Sequence, residues 1–198
     1  MYAKKNSGKK VVATLLAIAL LMGVAIGGTI AYLVDSTTEV TNTFAVGKID
    51  ISLDETHEDG FTVVPGGSDD KDPVVTVEEG SEKCYVYVSV TNNLVIGTET
   101  VATLNIGSNW TAVGSAGNET VYKYTSVVDA STAAQKLPVF TTVSYDGTKI
   151  TADNINTLKD KTIVVQAYAH QSENLGTDVN VDQLACTFFD VTLNTTNP

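Results

Sequence analysis

The run Cys84-Tyr85-Val86-Tyr87-Val88-Ser89-Val90 decides the fold class. In an extended chain successive side chains point to opposite faces, so Cys84, Val86, Val88 and Val90 share one face and Tyr85, Tyr87 and Ser89 the other. Valine is stiff at its first side-chain torsion and packs well on a pleated surface, which argues against a helix here. Outward from this run, similar stretches recur between Gly, Asn and Asp turns: Phe61 to Val64, Val74 to Val77, Val101 to Ile106, Trp110 to Val113, Thr120 to Val128, Val139 to Tyr145, Thr162 to His170 and Phe189 to Leu193. Residues 32 to 198 contain 24 Val and 26 Thr, enough β-branched side chains to favour strands throughout. Many short strands at such spacing predict an all-β sandwich or barrel.

Three stretches read as short helices: Ser131 to Lys136, Asp153 to Leu158, and Val181 to Phe188. The last has Asn180 as its N-cap and places Val181, Leu184 and Phe188 on one side. Upstream, Tyr32, Val34, Val40, Phe44 and Val46 form an apolar face opposed by Asp35 and Glu39, again at period two. After Gly47 the apolar set moves to Ile49, Ile51 and Leu53, and a one-residue phase shift at a glycine predicts a bulge or bend.

The opening residues form a leader helix. Lys4, Lys5, Lys9 and Lys10 precede an uncharged run from Val11 to Val34, and small side chains at Thr29 and Ala31 suit cleavage between Ala31 and Tyr32. Retention as a membrane anchor is the rival reading, since the uncharged run is long enough to span a bilayer. Either way the lysines hold the N-terminus on the cytoplasmic side and the domain lies outside the membrane. The expected organisation is a signal peptide at 1–31, an N-terminal strand at 32–46, a β-sandwich at 47–193 and a polar tail at 194–198.

The formal charge is −11, from 12 Lys and 23 acidic residues without any Arg. Removal of the four leader lysines leaves eight Lys against 23 acids, a charge of −15. Such a chain repels phosphate backbones, which excludes nucleic acid as a partner.

The stretch Gly27-Gly28-Thr29-Ile30-Ala31-Tyr32-Leu33-Val34-Asp35-Ser36, with Asn42-Thr43-Phe44-Ala45-Val46-Gly47-Lys48-Ile49-Asp50-Ile51-Ser52-Leu53, resembles the start of the TasA and camelysin family. The segments Lys71 to Asn93 and Val165 to Gln171 are similar to its clostridia-like branch. The resemblance implies a jelly-roll-like antiparallel sandwich, export from a Gram-positive cell through a SipW-type signal peptidase, and assembly into biofilm-matrix fibres. It also implies that Tyr32, Val34, Val40, Phe44 and Val46 serve as a donor strand. Residues 94 to 145 carry no such likeness.

Neither His57 nor His170 stands at metal-ligand spacing from Cys84, Cys186 or the other histidine, and no His-Glu-x-x-His, Gly-x-Ser-x-Gly or phosphate-cradling glycine loop occurs. The chain is therefore expected to have no catalytic, cofactor or metal site, with weak Ca²⁺ binding by Asp54 to Asp59 and Asp69 to Asp72 as the one candidate. Trp110, Tyr122 and Tyr124 are a candidate sugar platform, with core packing as the commoner role of such residues. Cys84 and Cys186 could pair across a loop of about a hundred residues, for up to about 4–5 kcal/mol in the chain-entropy model, or remain small buried hydrophobes. The leading expectation is a secreted, non-catalytic surface or matrix protein that self-associates or binds other matrix proteins. The alternatives are a monomeric surface module for carbohydrate or a host ligand, and a secreted hydrolase.

Overall fold

A computed structural model describes residues 47–56 and 62–194. These described residues form one compact unit. The expected leader helix, cleavage position, N-terminal strand and polar tail end, and His57 in the acidic loop, lie outside the described residues.

The strands are β1 (Ile51–Asp54), β2 (Ser68–Asp70), β3 (Val74–Val77), β4 (Cys84–Asn92), β5 (Val95–Ile96), β6 (Glu99–Thr100), β7 (Ala102–Leu104), β8 (Trp110–Ala116), β9 (Glu119–Tyr124), β10 (Gln135–Pro138), β11 (Thr142–Tyr145), β12 (Ile163–Gln171) and β13 (Thr192–Leu193). A five-stranded sheet has the order β12-β4-β9-β8-β13; two three-stranded sheets run β1-β3-β10 and β2-β11-β7; β5 and β6 make a hairpin. Every pairing is antiparallel. The fold is the expected all-β sandwich.

The alternation in β4 explains how the layers meet. Its even-numbered residues Cys84, Val86, Val88 and Val90 join Val75 and Val77 of β3, Leu137 of β10, Ala102 of β7 and Val143 of β11 in one core. Both small sheets thus pack on one face of the five-stranded sheet. The other face is covered by the helix α1 (Val181–Phe188): Tyr87 and Val121 pack with Val181, Ala185, Cys186 and Phe189 in a second core. β4 is buried on both faces, and Ser89, only 1% exposed, is satisfied by donating to Glu119.

Asn180 caps α1 as expected, its Oδ1 accepting from the Gln183 amide at 3.1 Å. Of the three apolar residues expected on one side of the helix, only Val181 is buried. Val181, Ala185 and Cys186 face the sheet, while Leu184 is 41% and Phe188 61% exposed. The cause is close approach: a Cβ on Gly114 of β8 would lie 2.6 Å from Cys186 Sγ, so only small side chains fit between helix and sheet. Two other helices are also corrected. Within Asp153 to Leu158 only Ile155–Leu158 forms a 3-10 turn, and Ser131 to Lys136 gives way to β10, which pairs with β3 from Gln135↔Val77 to Pro138↔Val74.

The two cysteines are not bonded: each is a buried free thiol. Cys84 belongs to the first core and Cys186 to the second, so the sheet itself separates them.

Candidate functional site

β12 and β1 lie side by side along one flank of the sandwich, and they belong to different sheets. β12 pairs with β4 along nine residues, from Ile163↔Asn92 to Gln171↔Cys84, and β1 pairs with β3 from Ile51↔Val77 to Asp54↔Val74. Among the described residues each strand has a ladder partner on one side only. A strand edge is a row of backbone donors and acceptors that another chain can pair with. The seam between β1 and β12 therefore offers two such rows close together.

Period-two alternation sets the surroundings of this edge. Ile163, Val165, Ala167 and Ala169 of β12 pack against the first core. Val164, Tyr168 and His170 point to the opposite face, where α1 lies. There Tyr168 stacks on Phe188 with ring centroids 4.7 Å apart, and Phe189 meets Phe188 edge-on at 5.0 Å. Exposed Val164, Leu184 and Phe188 give this flank an apolar surface. The described chain begins at Gly47 beside the C-terminal end of β12, lining with Glu82, Gln171, Glu173 and Asn174 a cleft of about 250 Å³.

Behind the aromatic patch a polar network fastens α1. Asp182 accepts from the Tyr87 hydroxyl at 2.6 Å and from the Lys123 ammonium at 2.8 Å, and the ammonium also lies 4.6 Å from the Tyr85 ring centre. Burial first, and the Asp182 carboxylate second, hold the Tyr87 hydroxyl far above the ordinary phenol range, so it is a fixed donor at neutral pH. Sequence reasoning missed this network, because Tyr87 and Asp182 stand 95 residues apart.

The other candidates take structural places. Trp110 is 6% exposed, donates from Nε1 to Pro138 O at 2.8 Å and meets Tyr124 edge-on at 5.1 Å, so it is core and not a platform. In the acidic loops Asp69 accepts from the Tyr145 hydroxyl at 2.5 Å and the Thr62 amide at 3.1 Å, Asp72 from the Thr56 amide at 2.9 Å, and Glu55 lies 3.5 Å from buried Lys71. His170 Nδ1 is 2.9 Å from Gln171 O. Burial pushes the Cys84 thiol up to about 11, and burial followed by the Asp182 charge raises that of Cys186, so both stay protonated at neutral pH.

Residues 4–64 match a family model described as camelysin metallo-endopeptidase. No curated protein and no solved structure matches the chain. The matched segment includes β1 and the stretch from Gly27 to Leu53 that carries part of the resemblance noted above. The match also corrects the expectation that the chain has no catalytic activity, because the family is described by an enzymatic one. A catalytic zinc takes three protein ligands and an open position. Among the described residues no group of three His, Cys, Asp or Glu side chains comes together to hold a metal ion, so these residues do not fit such a centre.

Proposed function

We propose that the chain is an exported cell-surface or extracellular-matrix protein that self-associates, the N-terminal strand of one copy, Tyr32 to Val46, adding to the β1–β12 seam of the next. The observation that carries this reading is the pair of adjacent strand edges. Strand addition draws affinity from main-chain hydrogen bonds and specificity from alternate side chains. Tyr32, Val34, Val40, Phe44 and Val46 supply an apolar face at period two, and Tyr168 and Phe188 supply an apolar surface beside the receiving edge. Asp35 and Glu39 keep the opposite face of the donor soluble. In this reading a signal peptidase of the SipW type cuts after Ala31, and the domain limits are 1–31, 32–46, 47–193 and 194–198. The test is N-terminal sequencing of exported material together with electron microscopy. A start at Tyr32 and filaments in the same fraction are expected; an intact leader in membrane-bound, monomeric protein rejects the reading.

The description of the matched family favours a second reading, a metal-dependent endopeptidase. Casein turnover by purified protein, lost with a chelator and restored by stoichiometric zinc, is its signature. Turnover that resists the chelator, or follows a contaminant through purification, removes it.

A further inference from the structure

A cleft of about 380 Å³ opens between β7, the end of β4 and the β8–β9 hairpin. None of the residues lining it is charged, in a chain whose formal charge is −11. The nearest carboxylates along the chain are turned away: Glu99 pairs with Lys149 at 2.9 Å, and Glu119 accepts from Ser89. The floor is apolar, with Leu104, Ile106 and Tyr122 half-buried against the first core. The rim is hydroxyl and amide, with Thr100, Thr103 and Asn118 exposed.

The walls are held in place by the chain's own hydrogen bonds. Asn92 Nδ2 donates to Ala102 O at 2.9 Å, tying β7 to the end of β4, while its Oδ1 accepts from the Leu94 amide at 3.1 Å. Asn118 Nδ2 donates to Asn93 Oδ1 at 2.8 Å and to Asn92 O at 3.1 Å, fixing the β8–β9 turn against the same strand end. Among the described residues the hydroxyls of Thr100 and Thr103 take no protein partner. A rigid cleft with solvent-facing hydroxyls above an aromatic and aliphatic floor is organised before any ligand arrives.

We propose that this cleft binds a neutral oligosaccharide. A sugar ring presents hydroxyls that both donate and accept, which the Thr hydroxyls and the Asn118 Oδ1 acceptor match, and a C–H face that packs on Tyr122, Leu104 and Ile106. An anionic glycan would meet the field of an acidic protein with no cation in the cleft to pair it. An acyl chain would leave the hydroxyl rim desolvated. No residue of β1 or β12 lines the cleft, so the proposal stands whether or not the chain assembles.

The test is isothermal titration of the exported chain with chitohexaose, cellohexaose and maltohexaose, and with a hyaluronate hexasaccharide as charged control. At least one neutral hexasaccharide is expected to bind with millimolar or better affinity, and hyaluronate not to bind. Thr103→Lys places an ammonium on the exposed rim and is expected to weaken binding at least tenfold at unchanged melting temperature. Thr148→Lys, outside the cleft, leaves binding as it is. The proposal is overturned if no neutral hexasaccharide binds below about 10 mM, if T103K binds like the unaltered chain, or if hyaluronate binds more tightly than all three.

Discussion

Replacing Gly114 by Ala adds one methyl group where the sheet and α1 are closest. The new Cβ would lie 2.6 Å from Cys186 Sγ, 2.8 Å from the Thr192 carbonyl oxygen and 3.3 Å from Val191 Cγ2. The thiol can yield by shifting the helix, but the Thr192 oxygen is backbone of β13, which pairs with β8 at Leu193↔Gly114. Relief therefore requires β13 or α1 to move as a unit. Overpacking of a close-packed core costs about 1–3 kcal/mol, and contact with backbone places this substitution in the upper half of that range. For a domain of this size that is a loss of roughly 5–10 °C in melting temperature. Urea or thermal melts followed by far-UV circular dichroism measure it. Cys186→Ala removes one of the two clashing atoms, so in the Gly114→Ala background it should cost about 0.5–1 kcal/mol less than it does alone, without full recovery. If Gly114→Ala lies within about 0.5 kcal/mol of the unaltered chain, or if the two substitutions simply add, the packing of α1 over β8 is wrong.

Asp182→Ala strands the buried Tyr87 hydroxyl and removes the acceptor of Lys123, for a loss of about 1–3 kcal/mol in urea melts; replacing Tyr87 by Phe in that background should return part of the loss. Stability should fall on the alkaline side. Cys84 ionises at about 11 in the fold against 9.0 when unfolded, so above pH 9 the unfolded chain gives up a proton that the folded chain retains; melting temperatures measured from pH 8 to pH 11 should decline beyond pH 9, and a flat profile contradicts the burial of this thiol. Alkylation in denaturant without reductant should label two thiols, and a reductant should not change the melting temperature; a disulfide-linked 84–186 peptide pair in the mass spectrum rejects the separation of the cysteines by the sheet.

Much of the fold was legible where one period dominated. Cys84 to Val90 alternates without interruption and became the interior strand β4, while Thr162 to His170, expected as a strand, became its edge partner β12. What the Tyr85, Tyr87 and Ser89 face of β4 packs against was not legible, because α1, whose Asp182 stands 95 residues from Tyr87, covers it. The same long-range contact decides which residues of α1 are buried. Leu184 and Phe188 are its larger apolar residues, yet Ala185 and Cys186 are buried, since the approach to Gly114 admits only small side chains. Gln135 to Pro138 has no strand pattern of its own and becomes β10 because β3 offers it an edge. At the candidate seam, the apolar face of Tyr32 to Val46 was visible in the sequence. The receiving edge was not, because it arises from two strands of different sheets whose adjacency no local pattern encodes.

The most direct measurement compares two chains, one from Tyr32 and one from Lys48, by size-exclusion chromatography with light scattering and by electron microscopy. High acidic charge opposes association at low ionic strength, so both are examined with added salt and with Ca²⁺. The account predicts that the chain from Tyr32 forms filaments, more readily as salt or Ca²⁺ rises, while the chain from Lys48 stays monomeric and folded. Monomers from both chains at high concentration, or equal polymerisation of both, would contradict it.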